Sequence, residues 1–217
     1  MTPAVLLHGF TGSSRSWGDP VVHGLLSAGI EELTVDLPGH GSRAEVQNAG
    51  VTLDQALAVV DEVTADLDQY DLIGYSMGGR IALHVALARG ERVRRLVVES
   101  ASPGLAREAE RTQRRSADED LAARIERDGV EAFVDSWASL PLFASQRTLP
   151  VETREQVRRL RLANQATGLA ASLRGLGTGA LPALWDRLGE LRCPVLLVVG
   201  ALDTKFVHSA RGMERRI

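Results

Sequence analysis

The sequence predicts an α/β fold in which a mostly parallel sheet carries helices on both faces, with a helical lid above it. Two observations support this prediction. Short runs of β-branched residues and leucine alternate with stretches of helical periodicity, which is typical of βαβ units. One of these runs leads through a Gly-x-Ser-x-Gly turn directly into an apolar helix. Because βαβ units join parallel strands and place helices on both faces of the sheet, the strands are expected to lie parallel and buried.

Five segments have the composition of buried parallel strands. They are Ala4–Leu7, Leu33–Asp36, Asp71–Ile73, Leu96–Glu99 and Val195–Val199. Between the second and third strands, apolar residues from Leu53 to Leu67 recur at helical spacing. The segment from Ile81 to Leu87 predicts a second, very apolar helix after the third strand.

The alternation stops between Leu105 and Leu188, where the sequence is helical in pattern and rich in arginine. We therefore divide the chain into a first part of the core over residues 1–104, a helical lid over 105–188 and a second part of the core over 189–217. A helical insertion between two strands is well placed to cover a site. Most of its arginines are expected to lie on solvated helix faces, paired with nearby carboxylates.

Composition excludes several classes of protein. The chain has 217 residues, of which 44% are apolar and 24% charged, and its net charge is −3, which argues against a general nucleic-acid or membrane-surface binder. A single cysteine, Cys193, excludes a disulfide framework and suits a reducing cytosol. No histidine spacing typical of a metal site occurs, and the first residues lack the features of a signal peptide. We expect a cytoplasmic protein, either a monomer or a small homo-oligomer.

The strongest motif for chemistry is the turn Gly74–Gly78, which lies between a strand and a helix. Small residues at Gly74 and Gly78 let the strand and the helix approach, and the sharp turn presents the hydroxyl of Ser76 at the edge of the sheet. The helix N-terminus and the amide of Met77 then face any negative charge that develops there. The alternative is that Ser76 is only a turn residue, but the strand–turn–helix context favours a nucleophile elbow.

Two further segments agree with this interpretation. His8-Gly9-Phe10 follows the first strand, where the backbone amide of Phe10 is expected to complete an oxyanion hole, while the His8 side chain is expected only to structure the turn. Asp203 follows the last predicted strand, at the position of the acid in a Ser-Asp-His order. An aspartate after a strand can also be a simple helix cap.

The chain resembles the α/β-hydrolase fold and, more narrowly, the MenH family of menaquinone biosynthesis. The matching segments span nearly the whole chain, including the lid: LHGFTGS (Leu7–Ser13), DLPGHG (Asp36–Gly41), GYSMGGR (Gly74–Arg80), SPGL (Ser102–Leu105), ERTQRRSADED (Glu110–Asp120), FVDSWASLPLFASQ (Phe133–Gln146), SLRGLGTG (Ser172–Gly179) and GALDTKF (Gly200–Phe206). The lid is the part that distinguishes relatives within this fold, so the resemblance is specific.

The resemblance implies a carbon–oxygen lyase, 2-succinyl-6-hydroxy-2,4-cyclohexadiene-1-carboxylate (SHCHC) synthase, which eliminates pyruvate from 2-succinyl-5-enolpyruvyl-6-hydroxy-3-cyclohexene-1-carboxylate. It implies a small-molecule polycarboxylate substrate, no metal or organic cofactor, and no nucleic-acid or membrane partner. By the same matching Ser76 and Asp203 are catalytic. The substrate-binding residues implied by the resemblance are Tyr75, Arg80, Arg114, Trp137, Arg161 and Lys205, the last being the only lysine in the sequence.

The chain departs from the family pattern after Asp203. Family members continue through a final strand, the catalytic histidine and a closing helix, and we expect this chain to lack all three and to be truncated. His208 falls in a predicted helix, from which it should not reach between Asp203 and Ser76. Three hypotheses stay open: an SHCHC synthase, an esterase or thioesterase, and a catalytically dead fragment that binds polycarboxylates or a partner. We expect slow turnover at most.

Overall fold

The computed structural model describes residues 2–45 and 50–217. Five strands form one parallel sheet: β1 (Ala4–Leu7), β2 (Glu32–Val35), β3 (Tyr70–Tyr75), β4 (Val93–Glu99) and β5 (Val195–Val198). Their order across the sheet is β2-β1-β3-β4-β5, so β1, β3 and β4 lie inside the sheet and β2 and β5 at the edges. The predicted parallel sheet is confirmed, with each of the five strands within a few residues of its predicted position.

Seven α-helices connect and cover the strands in the described part of the chain. They are α1 (Asp19–Ser27), α2 (Leu53–Val63), α3 (Met77–Arg89), α4 (Glu108–Ala138), α5 (Val151–Leu162), α6 (Ala166–Leu176) and α7 (Thr204–Glu214). Short 3₁₀ turns occur at Ser14–Ser16, Gly41–Arg43, Gly90–Arg92, Pro141–Thr148 and Trp185–Glu190. None of the helices described is both long enough and apolar enough to cross a bilayer.

Strand β4 begins three residues earlier than the sequence predicts, because an ion pair compensates for arginines inside the strand. Arg94 donates two hydrogen bonds, of 2.9 and 2.7 Å, to the carboxylate of Asp71 on the neighbouring strand. Asp71 is buried, and Arg95 lies 3.6 Å from the same carboxylate. Charged residues are rare in strands, and here Arg94 has a cross-strand partner while the side chain of Arg95 is exposed to solvent.

The main core lies between the sheet and helices α2 and α3. The strand residues at its centre are at most 1% exposed; among them are Val5, Leu7, Leu72, Leu96 and Val98. Alternate residues of a strand face opposite sides of the sheet. In β5, Leu196 and Val198 are 59% and 40% exposed on one of these sides. The helical cover is therefore incomplete over β5 in the described structure.

The segment between β4 and β5 contains helices α4, α5 and α6 and no strand among its residues. Helix α4 is interrupted at Gly129, whose φ of 83° is not helical. A second, smaller hydrophobic cluster holds α4 against α6, and its members are Ala122, Ile125, Phe133, Val134, Leu169, Ala170 and Leu173. Phe10 packs against this cluster from the loop after β1, so the lid and the sheet meet at the carboxyl ends of the strands.

Candidate active site

Ser76 occupies a strained turn between β3 and α3. Its φ and ψ are 53° and −109°, a conformation that non-glycine residues rarely adopt and that costs on the order of 1–3 kcal/mol. The surrounding structure holds this conformation, because the Ser76 N–H donates to the Glu99 carbonyl over 2.8 Å and the Arg80 N–H donates to the Ser76 carbonyl. The side chain remains partly exposed. This is the geometry expected of a nucleophile elbow.

Two glycines make the turn sterically possible. A Cβ atom on Gly74 would lie 2.4 Å from the carbonyl oxygen of Gly78, and a Cβ on Gly78 would lie 2.0 Å from the carbonyl oxygen of Leu7. Both distances are far below van der Waals contact, so strand and helix pack backbone to backbone. The N-terminus of α3 is thereby held against the end of β1.

Two backbone amides next to Ser76 are free to bind an anion. The Met77 N–H is the first of helix α3, and the Phe10 N–H lies in the loop after β1; neither has an acceptor among the described residues. A helix N-terminus carries partial positive charge, which adds to the attraction for an anion. Phe10, Ser76 and Met77 line one cavity of about 630 Å³.

A second cavity of about 690 Å³ adjoins the first, and Phe10, Ser76, Trp137, Asp203 and Lys205 line both. Ser76 therefore lies where the two cavities meet. Arg80 of α3 and Arg114 of α4 line the first cavity, and Tyr75 and Arg161 of α5 line the second. Together they are large enough for a drug-sized ligand, for which sites of about 300–1,000 Å³ are usual.

Arg80 is a cation placed in the wall of the first cavity without a carboxylate partner among the described residues. Its guanidinium donates to the Leu176 carbonyl over 3.3 Å, while its Nε is buried without an acceptor. Burial, and then the charge of Arg114, lowers the pKa of Arg80 to about 10, so it remains protonated at neutral pH. Arg114 in the same wall donates to Asp118 over 2.8 Å.

The second cavity has cations of its own. The Arg161 guanidinium lies 5.0 Å from the centre of the Phe143 ring and reaches the Gln146 amide oxygen at 3.4 Å. Partial burial lowers the pKa of Arg161. Lys205 stands with its Nζ 5.5 Å from the Phe206 ring centre. Within residues 2–45 and 50–217, neither Arg161 nor Lys205 pairs with a carboxylate.

Many other lid arginines form ion pairs on the surface, as the sequence predicts. Arg174 bridges Glu119 and Glu126 at 2.8 and 2.7 Å, and Arg158 bridges Glu131 and Asp135 at 2.9 Å each. An arginine that faces a cavity and has no carboxylate partner can bind a ligand, whereas Arg158 and Arg174 are each held by two carboxylates. The structure separates the two groups by their partners, which the sequence pattern alone does not show.

Asp203 lies in the loop after β5 and is the N-cap of α7. Its carboxylate accepts a hydrogen bond of 3.1 Å from the Phe206 N–H, so it caps the helix. It also lines both cavities together with Ser76. His208 lines the first cavity, but no hydrogen bond joins it to Asp203 or to Ser76 in the described structure, as expected from its place in α7.

His8 is a structural residue rather than a base. Its Nδ1 lies 2.8 Å from the Gly9 carbonyl and its Nε2 accepts a hydrogen bond of 3.0 Å from the Leu37 N–H, so both ring nitrogens are occupied. Burial lowers the pKa of His8 to about 4, which keeps the ring neutral. The prediction that this side chain structures the turn is confirmed.

Two residues at or beside the site were not identified from the sequence: Phe143, which lines the second cavity, and Glu99, whose carbonyl accepts from the Ser76 N–H. Glu99, at the end of β4, pairs in register with Tyr75, and burial raises the pKa of its carboxyl. Phe143 packs on Trp137 at 5.8 Å between ring centres, and Trp137 packs on Phe10 at 5.6 Å. The position of Glu99 at a strand's carboxyl end was a usable signal, but the aromatic contacts join distant parts of the chain.

Metal-binding side chains do not cluster in the described residues. No group of three or more histidine, cysteine, aspartate or glutamate side chains is placed there to hold an ion.

Comparison with known proteins adds independent evidence. The sequence profile described as the alpha/beta hydrolase family matches residues 4–217. A protein of Bacillus subtilis (strain 168), provisionally named 2-succinyl-6-hydroxy-2,4-cyclohexadiene-1-carboxylate synthase, is 42% identical over 208 residues, which cover 93% of this chain and 74% of that protein. The synthase of that name from Citrobacter koseri is 36% identical over 202 residues, covering 93% of this chain and 78% of its own.

Solved structures agree. The chain is similar to the structure of MenH from S. aureus, with a TM-score of 0.91 and 37% identity over 100% of this chain and 81% of that one. It is also similar to an esterase from Thermogutta terrifontis, with a TM-score of 0.78 over 98% of this chain and 78% of that one. At 24% identity the second likeness shows the fold alone.

Proposed function

The chain belongs to the α/β hydrolase family, in its branch of SHCHC synthases, and from this premise we propose that Ser76 is the centre of a pyruvate elimination. One observation carries the proposal: a serine in a strained elbow stands between two cavities whose walls contain cations without carboxylate partners among the described residues. A simple ester needs no such set of charges. A substrate with several carboxylates does.

Arginine suits carboxylates because its guanidinium donates two parallel hydrogen bonds in a fixed geometry. Arg80 would bind one substrate carboxylate in the first cavity, together with the terminal nitrogens of Arg114, whose Nε donates to Asp118. Arg161 would bind another in the second cavity. Lys205 borders both cavities and would act as a point charge on the leaving pyruvate. Trp137 and Tyr75 would form the apolar walls between these charges and hold the cyclohexene ring over Ser76.

The chemistry begins when a base takes the hydroxyl proton of Ser76, and the resulting Ser76 alkoxide removes the proton alpha to the succinyl ketone. The electron pair of that C–H bond moves onto the ketone oxygen, and the amides of Phe10 and Met77 stabilise the resulting enolate. When the enolate collapses, a double bond forms between C2 and C3, the ring double bond moves from C3–C4 to C4–C5, and the carbon–oxygen bond from C5 to the enolpyruvyl group breaks. The departing enolate takes up a proton on carbon and becomes pyruvate. Losing one oxyanion donor typically costs about 10²- to 10³-fold in rate.

Asp203 would serve this reaction as the acid of the triad, and its capping bond to Phe206 fixes its carboxylate beside the cavities. The described residues supply no histidine hydrogen-bonded to Ser76. We therefore expect slow turnover and expect added imidazole to raise it, since a small base can enter a cavity of this size and accept the Ser76 proton.

The test is a coupled assay for pyruvate release from the enolpyruvyl substrate, with and without imidazole. Ser76→Ala is expected to abolish release, while the exposed Ser136→Ala variant should behave like the parent chain. Release that survives Ser76→Ala would refute the role of this serine. Fast hydrolysis of p-nitrophenyl acetate with no pyruvate release would favour the esterase hypothesis instead.

A further inference from the structure

A buried asparagine joins the lid to the loop that carries the Phe10 amide. Asn164 lies between α5 and α6, is 6% exposed, and donates its side-chain amide to the Thr11 carbonyl over 2.9 Å. The same amide donates to the Arg161 carbonyl over 3.0 Å. The first of these bonds links positions 153 residues apart in the chain, so it connects two segments that only the tertiary fold brings together.

Thr11 has a backbone conformation that requires support. Its φ is 69°, in the left-handed region that a β-branched residue adopts only at an energetic cost. Thr11 immediately follows Phe10, whose N–H belongs to the peptide with Gly9, so the strained residue and that N–H lie within a few bonds of each other. Both residues lie in the turn closed by the hydrogen bond of 2.9 Å from the Gly12 N–H to the Gly9 carbonyl.

The peptide unit between Thr11 and Gly12 is held at both ends. Its carbonyl accepts from Asn164, and its N–H donates to Gly9. A peptide is planar, so fixing both of its polar groups fixes its orientation. Both bonds therefore hold the turn that carries the Phe10 N–H, which has no acceptor among the described residues.

We propose that Asn164 is a positioning residue for the oxyanion hole: it holds the Thr11 peptide so that the Phe10 amide faces the reacting oxygen. Asn164 itself does not line either cavity beside Ser76, so it acts through the loop. The inference rests on the proposed function, because it presumes that the Phe10 amide binds a developing anion. It also makes the lid necessary for catalysis as well as for substrate binding.

The test measures the oxyanion hole directly with phenylboronic acid. The Ser76 oxygen adds to boron and its proton leaves to solvent, which gives a tetrahedral boronate anion with an oxygen against the Phe10 and Met77 amides. Asn164→Ala is expected to weaken phenylboronic acid binding about 10- to 100-fold, part of the loss seen when an oxyanion donor is removed. Binding of propane-1,2,3-tricarboxylate, which contacts the cations but forms no bond to Ser76, should weaken less than phenylboronic acid binding, because Asn164 donates to the backbone of Arg161 and not to its guanidinium.

The neighbouring Gln165→Ala variant is the matched control, because Gln165 is exposed and its side chain forms no capping bond. It should leave both affinities unchanged. Asn164→Ser, which keeps a small polar group but cannot span both carbonyls, provides a milder variant with the same expected split. An equal loss of affinity for both ligands, or no loss of affinity for either, would overturn the inference. If neither Asn164 variant folds, the inference is also overturned, because the residue would then serve stability alone.

The outcome also separates this inference from the proposed function. If the parent chain binds phenylboronic acid no better than Ser76→Ala does, the proposed site itself fails. If binding depends on Ser76 but is unaffected by Asn164→Ala, only the role of Asn164 is refuted.

Discussion

The close packing of β1 against α3 gives a quantitative prediction for Gly78→Ala. The added Cβ would lie 2.0 Å from the Leu7 carbonyl oxygen and 2.6 Å from that of His8, whereas real Cβ contacts are almost never below 3.0 Å. To lengthen the 2.0 Å contact to 3.0 Å, helix α3 would have to move about 1 Å away from β1. Because β1 is paired on both sides within the sheet, the strand cannot yield instead.

The cost follows from overpacking and is partly offset by helix propensity. Overpacking of a dense core costs typically about 1–3 kcal/mol and occasionally more. Replacing glycine with alanine inside a helix stabilises the helix by up to about 1 kcal/mol. With two backbone oxygens in the way, we expect Gly78→Ala to lower the free energy of unfolding by about 2 kcal/mol. The displaced Met77 amide should also weaken the oxyanion hole.

Gly24→Ala is the matched control, because Gly24 is also in a helix but a Cβ there would meet nothing within 4 Å. It should raise the free energy of unfolding by up to about 1 kcal/mol. Both variants replace glycine with alanine in a helix, yet their free energies of unfolding are expected to differ by about 3 kcal/mol. Equilibrium urea unfolding, followed by circular dichroism, measures this difference. Two variants of equal stability would refute the account of the elbow.

Three further predictions concern charge and surface. His8 and His40 are buried, and burial lowers their pKa values from the ordinary 6.5 to about 4 and about 3. The unfolded chain therefore binds protons at a higher pH than the folded chain, and the free energy of unfolding falls as the pH drops from 6.5 towards 4. In urea titrations at a series of pH values, His40→Phe should make that fall shallower. Leu196→Lys should slow aggregation measured by light scattering, because it places a charge on an exposed apolar edge strand. Arg80→Met should raise the KM for the enolpyruvyl substrate about 10- to 100-fold, since charge-assisted hydrogen bonds contribute about 1.5–3 kcal/mol.

Each of these has a control in the same chain or a result that would contradict it. The exposed His23→Gln should leave the pH dependence of stability as it was, and a parent-like slope in His40→Phe would contradict the assignment. Arg127 pairs with Asp128 on the surface and lines neither cavity, so Arg127→Met should keep the parental KM. Aggregation that is as fast in Leu196→Lys as in the parent would show that another surface drives it.

Much of this protein could be predicted from local sequence. Strands were recognisable because buried parallel strands are short, continuous apolar runs, and the elbow because only glycine tolerates the contacts around Ser76. The strand ends were less predictable. Arg94 is a poor strand residue by itself, and the Asp71 partner that makes it acceptable lies on another strand.

Local sequence pattern does not separate Arg80 from Arg174, and only the resemblance to a known family singled out Arg80 as a substrate-binding residue. What separates them is whether a carboxylate lies within reach: Arg174 has two and Arg80 has none among the described residues. The Asn164–Thr11 bond joins positions 153 residues apart. Patterning along the chain fixes which face of each element is buried and where a sharp turn can form, because these depend on near neighbours. Ion pairing, and the support of a strained loop, depend on distances between remote segments, which exist only once the lid has folded onto the sheet.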